Sequence, residues 1–484
     1  MIRRLAFISV LFSAMVVIAS AQPGSPSNEI ARGQIIEKLT CADKPDQSYA
    51  LYLPANYDPA RKWPVLYAFD PGARGKLPVE RYQEAAERFG WIVVGSNNSR
   101  NASWQSSIDS WNAITHDTHQ RFSIDDARLY VAGLSGGART AVGIAVACQN
   151  CVTGVIASAA GFPPSVTPSA SIHFAIFTTS GINDFNFPEV KTLEAQLTKL
   201  GIPNQMAVFD GGHEWLPVSV AVEAVGWMEL FAMQSGKLQP DTDKINAIWK
   251  ARYDAAQALE SSGKLYDAYL IYAAMSKTFK GLREIDDVQA KANLLESKAE
   301  VREAIKDEQQ QFKKQRDFDN QIGGLIYADG RARPKEISQA ATDNTANELL
   351  DPRARLHQLF LDLRKQAKAE TDSGNRRVAR RVLDGQYIGL IERATPLLRE
   401  GKQLDEAARL FTLASEVNPD RSGPFYYLAW AYAAKGEKKK ALQSIKTAIE
   451  KGFTDIAAID SNQAFDSVRN DKQYEEIIGR IRKP

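Results

Sequence analysis

Between residues 34 and 236 short apolar runs recur with stretches of helical period between them. The runs are GQIIEKLT, SYALYLPA, WPVLYAFD, WIVVGSN, RLYVAGLS, GVIASAAG, HFAIFTTSG and NQMAVFDGG, interleaved with amphipathic segments such as VERYQEAAERFG and VKTLEAQLTKLG. Near-continuous Val, Ile, Leu, Phe and Ala runs of strand length suit strands buried on both faces, and helices between them supply the covering layers. This half is therefore predicted to be α/β, a mostly parallel sheet with helices on both sides. After Gly236-Lys237-Leu238-Gln239-Pro240 the β-branched runs disappear and the period stays helical to the C-terminus, which predicts a boundary near residue 238. Ile285, Val288, Ala292, Leu295, Ala299 and Ile305 fall on one stripe of a single long charged helix. A second boundary is expected where Gly330-Arg-Ala-Arg-Pro334 opens a Gly/Pro/Thr/Asn-rich stretch that runs to Asp351-Pro352, a good N-cap and first-turn pair.

The helical half contains a repeat. Ala407, Phe411 and Ala414 recur as Ala441, Ile445 and Ala448, each 34 residues later. GPFYYLAWAYAAKGEKKKALQSIKTAIEKG, with Ala429, Tyr432, Gly436, Ala441 and Ala448, resembles a complete tetratricopeptide repeat, and REGKQLDEAARLFTLASEVNP resembles the second helix of the preceding one. Pro396 falls inside that preceding repeat's expected first helix, where it disturbs the shape. Gly263 to Ala268 and Gly374 to Ala379 read as degenerate helix pairs off the 34-residue register, and an ordinary helical bundle is the competing reading for residues 240–390 and, less so, for 385–455. Stacked repeats create a concave surface suited to a protein partner.

Composition narrows the functions. Sixty Lys and Arg against 58 Asp and Glu leave a net charge of +2, too little to hold a phosphate backbone, so no nucleic-acid partner is expected. The opening segment MIRRLAFISVLFSAMVVIASAQ places Arg3 and Arg4 before an apolar run that ends in Ala19-Ser20-Ala21. That reads as a secretory signal over residues 1–21, cleaved to leave an exported protein, periplasmic or extracellular, without a stable membrane span. An uncleaved anchor is the alternative, and the match of the arginine pair to a twin-arginine signal is poor. Of the three cysteines, Cys148 and Cys151 are spaced for a short-loop disulfide in an oxidising compartment or for a redox pair, and Cys41 is left over. Five histidines leave little for metal chemistry. His116 and His119 fit a solvated helical face, His173 a packed strand and His357 the surface; no metal site is expected, and no cofactor motif is present.

The chemistry concentrates at Gly133-Leu134-Ser135-Gly136-Gly137, directly after a strand-like run and before the small-residue helical run ARTAVGIAVA. G-x-S-x-G in that context describes a nucleophile elbow, with Ser135 Oγ above the C-terminal edge of the sheet and the Gly136 N–H at a helix N-terminus, where an oxyanion is stabilised. A serine hydroxyl needs a base and the base an orienting acid. HFAIFTTSG leads to Asp184 and NQMAVFDGG to His213, so Ser135, Asp184 and His213 reproduce the Ser…Asp…His order of α/β-hydrolases; Asp210 and Glu214 are rival acids. A second oxyanion donor is expected in Asp70-Pro71-Gly72-Ala73, from Gly72 or Ala73, since Pro71 has no N–H. Asn97, in the polar run Asn97 to Asn101, together with Trp104, Trp111, Phe185 and Trp215, falls in loops expected near that edge, as candidates for substrate binding or packing.

GLSGGAR, GINDFNFPEV and FDGGHEWLP, with YLPANYDPARKWPVLYAFDPGARG upstream, resemble exported esterases related to feruloyl and acetylxylan esterases and polyhydroxyalkanoate depolymerases, over residues 34–236. The resemblance implies an acyl-enzyme on Ser135, with His213 as base and Asp184 as acid, acting on a small-molecule or glycan ester. Where that family often has His-Gly this chain has Asp70-Pro71, so acyl preference set there does not transfer. The expected architecture is a signal peptide over 1–21, a catalytic domain over 34–236, a helical region over 240–384 and repeats with C-terminal helices over 385–484. A catalytically silent scaffold and a serine peptidase or acyltransferase are the alternative readings.

Overall fold

The computed structural model describes residues 30–101, 104–148, 150–331 and 351–482. The expected signal segment and most of the stretch between Gly330 and Asp351 lie outside the described residues.

All eight apolar runs form strands. They are β1 (Ile35–Thr40), β2 (Ser48–Tyr52), β3 (Trp63–Phe69), β4 (Ile92–Ser96), β5 (Ile124–Leu134), β6 (Gly154–Ser158), β7 (Ala175–Gly181) and β8 (Asn204–Phe209), in one sheet of order β1-β2-β4-β3-β5-β6-β7-β8. β2 pairs antiparallel with β1 and β4, and every pairing from β4 through β8 is parallel. An eight-stranded sheet in that order, with only the second strand reversed, is the α/β-hydrolase fold.

The helices that cover it are α1 (Lys76–Phe89), α2 (Trp104–Arg121), α3 (Gly136–Ala147), α4 (Phe187–Lys199) and α5 (Val218–Gln234). Successive side chains of a strand point to opposite faces, and β3 shows why its run had to be apolar throughout. Val65, Tyr67 and Phe69 enter one core with Ile114, Ala141, Val142 and Leu197, while Leu66 and Ala68 enter the other with Val79, Tyr82, Val225 and Met228.

Beyond α5 the described chain is helical: α6 (Thr242–Ser261), α7 (Leu265–Thr278), α8 (Asp286–Ser297), α9 (Ala299–Arg331), α10 (Pro352–Ala367), α11 (Gly374–Arg399), α12 (Leu404–Val417), α13 (Gly423–Ala434) and α14 (Lys438–Glu450), followed by α15 (Ile456–Asp460), a 3-10 turn, α16 (Asp466–Arg469) and α17 (Lys472–Arg482). The 34-residue register relates α12 to α14, and all six of its small or apolar residues are buried against neighbouring helices. Pro396 lies within α11, which continues to Arg399. Asp351 caps α10 by accepting the Arg353 N–H at 2.9 Å.

Two expectations need correction. The apolar stripe from Ile285 to Ile305 is split between α8 and α9, because Lys298 takes an extended conformation with ψ 140°. The break keeps Val288, Ala292 and Leu295 in the core built on α6 and α7, while α9 runs on to the opposite side of the helical half. His173 is exposed in the loop before β7, because that strand begins only at Ala175.

The elbow after β5 depends on close backbone approach. A Cβ on Gly137 would overlap the carbonyl of Phe69 at the end of β3. Gly137→Ala is expected to lower unfolding stability by roughly 3 kcal/mol, the upper end of overpacking costs, because backbone gives way less readily than a side chain. Urea unfolding of the two proteins, with an unchanged m-value, checks this.

Candidate active site

β5 stops at Leu134 and α3 starts at Gly136, which leaves Ser135 as the single residue of the turn, at φ 55° and ψ −120°. A non-glycine residue there is strained, and the surroundings must hold it. They do so by the Ser135 N–H donating to the Ser158 carbonyl of β6 at 2.8 Å, while the Ser135 carbonyl accepts the Arg139 N–H in the first turn of α3. The Gly136 N–H lies in that first turn, where helical N–H groups have no partner within the helix.

Asp184 and His213 come together. Asp184 follows β7 and is fully buried; its Oδ1 accepts the Asn186 N–H at 2.8 Å and lies 2.9 Å from His213 Nδ1. Its Oδ2 is buried without a hydrogen-bond partner. The rival Glu214 accepts the Gly212 N–H of its own loop, and His213 makes no hydrogen bond to Asp210. Ser135 Oγ makes no hydrogen bond to His213 in this state.

The loop that bears His213 nevertheless spans the end of the sheet at which the Ser135 turn follows β5. It leaves β8, passes Asp184 at the β7 edge and reaches β3, where Trp215 Nε1 donates to Asp70 Oδ2 at 2.8 Å. β5 and β6 lie between β3 and β7 in the sheet, so the segment from His213 to Trp215 spans the edge at which β5 ends.

Asp70 is the fixed point of that span. It is fully buried, and besides Trp215 it accepts the Gly72 N–H at 2.8 Å and three bonds from Arg74, Nε at 2.8 Å, Nη2 at 2.9 Å and the backbone N–H at 3.4 Å. Both N–H groups expected as second oxyanion donors have partners within their own loop. The Gly72 N–H is taken by the Asp70 carboxylate and the Ala73 N–H by the Asp70 carbonyl at 3.1 Å, the second in a tight turn that holds Ala73 at φ 60°.

The expected substrate-binding residues separate. Phe185 stacks on the His213 ring, centroids 4.2 Å apart. Trp215 is buried against Tyr82 and serves the Asp70 clamp instead of a pocket. Asn97 points away, its Nδ2 donating to the Glu37 carbonyl of β1 at 3.2 Å. Trp104 is half exposed and lies against Gly143, two turns along α3 from the elbow, and Trp111 packs on Tyr67 and Phe69. Asn101, named only as the last of a polar run, lies against the elbow. Its N–H donates to the Pro71 carbonyl at 2.9 Å, and its side-chain amide sits directly on Gly136. Cys148 and Cys151 are paired as a disulfide, with Cys41 buried and free.

No family model and no curated protein matches the chain. Solved structures similar to part of it include an S-formylglutathione hydrolase from Staphylococcus aureus, 14% identical over 41% of this chain and 98% of that one, TM-score 0.34. A ferulic acid esterase is 17% identical over 41% of this chain and 98% of that one, TM-score 0.35. An esterase from the archaeon Pyrobaculum calidifontis is 14% identical over 42% of this chain and 85% of that one, TM-score 0.33. The fold assignment rests on the strand order itself.

Burial pushes the Asp70 carboxyl up, but the bonds from Arg74, Trp215 and Gly72 outweigh it and hold the group below the usual carboxylate range. A depressed folded-state pKa contributes stability that is present above the unfolded value, about 3.9, and is lost as pH falls through the folded one. Asp70→Asn is therefore expected to be less stable at neutral pH by roughly 2 kcal/mol or more, since charged hydrogen bonds are lost. It is also expected to lose less further stability than the parent between about pH 5 and pH 2. Denaturant titrations across that range read both effects.

Proposed function

We propose that the chain is an exported serine hydrolase acting on carboxylic esters, small-molecule or glycan-linked, through an acyl-enzyme on Ser135. The observation that carries this reading is the contact between the buried Asp184 and His213 Nδ1, at the sheet end where Ser135 is held in a strained strand-to-helix turn. With Nδ1–H donated to Asp184, His213 presents Nε2 as a base. Rotation of the Ser135 side chain toward Nε2 lets its proton pass to His213 as Oγ attacks the ester carbonyl. The tetrahedral oxyanion forms at the N-terminus of α3, where the Gly136 N–H and the helix dipole act on it. His213 then returns the proton to the leaving alkoxide, and water repeats the sequence to release the acid. With the Gly72 and Ala73 N–H groups engaged, the second oxyanion donor in this reading is Asn101 Nδ2, once the amide, which turns Oδ1 toward Gly136, rotates to present it.

Export is supported by the N-terminal segment and agrees with the Cys148–Cys151 pairing. The hairpins related by 34 residues support a tetratricopeptide-like surface for a protein partner. A silent scaffold is the second reading, favoured by the missing hydrogen bond between Ser135 and His213.

Wild-type protein is expected to take up a fluorophosphonate probe and to hydrolyse a short p-nitrophenyl ester, and Ser135→Ala to do neither. Asp184→Asn should keep the fold while lowering kcat by about 10⁴-fold, and Asn101→Ala by about 10²–10³-fold. Wild type that resists the probe points to the scaffold; undiminished labelling of Ser135→Ala removes Ser135 from the mechanism.

A further inference from the structure

The segment Ile182–Phe187 carries the orienting acid, yet hydrolase elements alone do not hold it. Within the sheet domain the Ile182 N–H donates to the Phe209 carbonyl and the Asn183 N–H to the Gly211 carbonyl, both at 2.9 Å. The carbonyls of Ile182 and Phe185 face the other way, and both are met by the helical half. Arg381 on α11 donates from Nη1 to the Ile182 carbonyl at 3.2 Å, and Gln315 on α9 donates from Nε2 to the Phe185 carbonyl at 2.8 Å.

Arg381 has no accessible surface. An arginine is taken out of water at high cost unless its donors are answered; here Nη1 and Nη2 are hydrogen-bonded, while Nε is buried without a partner. Its Nη2 donates to Gln311 Oε1 at 3.0 Å, and its guanidinium lies over Phe187 at 5.5 Å and Phe312 at 5.8 Å, the two rings being edge to face. Burial, and then the neighbouring Arg377, bring its pKa down to about 10, so it is charged at neutral pH. One turn further along α11, Gly385 comes so close to Phe185 that a Cβ would lie 3.1 Å from the Phe185 Cβ. Phe185 in turn stacks on His213. The two backbone carbonyls that bracket Asp184, and the ring beside it, are thus all set by α9 and α11.

From this geometry we infer that Arg381, seconded by Gln315, is a positioning residue for the catalytic pair: it fixes the Ile182–Phe187 loop and, through it, the Asp184–His213 contact. The helical half is then part of the active site and not only an appended interaction module. The inference rests on the serine-hydrolase reading for its kinetic consequence, but not for its structural one.

Both parts are read on the full chain. In Arg381→Lys the charge remains, but the planar fork that spans Ile182 and Gln311 is lost; Gln315→Met removes the second donor at similar volume. The downfield proton NMR signal of the His213 Nδ1–H bonded to Asp184 is expected to shift or broaden beyond detection in Arg381→Lys, and to move less in Gln315→Met. kcat on a p-nitrophenyl ester should fall by about 10²-fold in Arg381→Lys at unchanged KM, the scale of loss that small misplacements of a catalytic group produce. An unchanged resonance and kcat in both folded variants overturn the inference. If Arg381→Lys does not fold, an unchanged resonance in Gln315→Met overturns it by itself. Wild type that resists a fluorophosphonate removes the hydrolase reading and not the anchor, which the resonance decides without substrate.

Discussion

A carboxylate buried at the end of β3 holds the upper edge of the sheet together. Asp70 gathers donors from its own loop, from Arg74 and from Trp215, two residues after His213, so one group joins the loop beside the elbow to the histidine loop. Burying such a charge costs several kcal/mol unless charged and neutral donors answer it, and five hydrogen bonds do so here. The same bonds consume the N–H that the loop otherwise offers to an oxyanion. One carboxylate thus holds both the Gly72 N–H and the loop that bears His213.

The sheet was legible because parallel strands buried on both faces have to be apolar without interruption, as Trp63–Phe69 and Ala175–Gly181 are. Ser135 was legible as the residue of a tight turn because the glycines around it answer to local backbone crowding, and local crowding leaves a local pattern. Asp184 and His213 could be placed by strand order, since each follows its own strand. Residues whose role depends on hydrogen bonds across the fold were not legible. Nothing near Asn97 says that its amide turns to Glu37, and nothing near Trp215 says that its indole serves Asp70. Periodicity likewise missed the break at Lys298, which has neither proline nor glycine to mark it.

One signal was present and went unread. Val378, Val382 and Gly385 lie on the packed face of α11, and Arg381 falls on the same face, three residues after Val378 and four before Gly385. A charged residue on a buried stripe needs a partner, and here the partner lies in the other half of the chain. The helical half meets the sheet domain a second time at Glu229, buried on α5, which accepts from Trp91 at 2.8 Å and from Lys244 of α6 at 2.7 Å. It is therefore fastened at both ends, beside α5 and beside the Asp184 loop.

The Arg381 contact to Ile182 spans 199 residues of chain. Ser135, Asp184 and His213 all lie within the first 213 positions, yet the arginine that meets the Ile182 carbonyl arrives only when residue 381 has been made and α11 has docked. Closing so long a loop is slow compared with forming the local pairings of the sheet. The order of events along the growing chain thus separates completing the sheet from finishing the site, and the last step belongs to the helices.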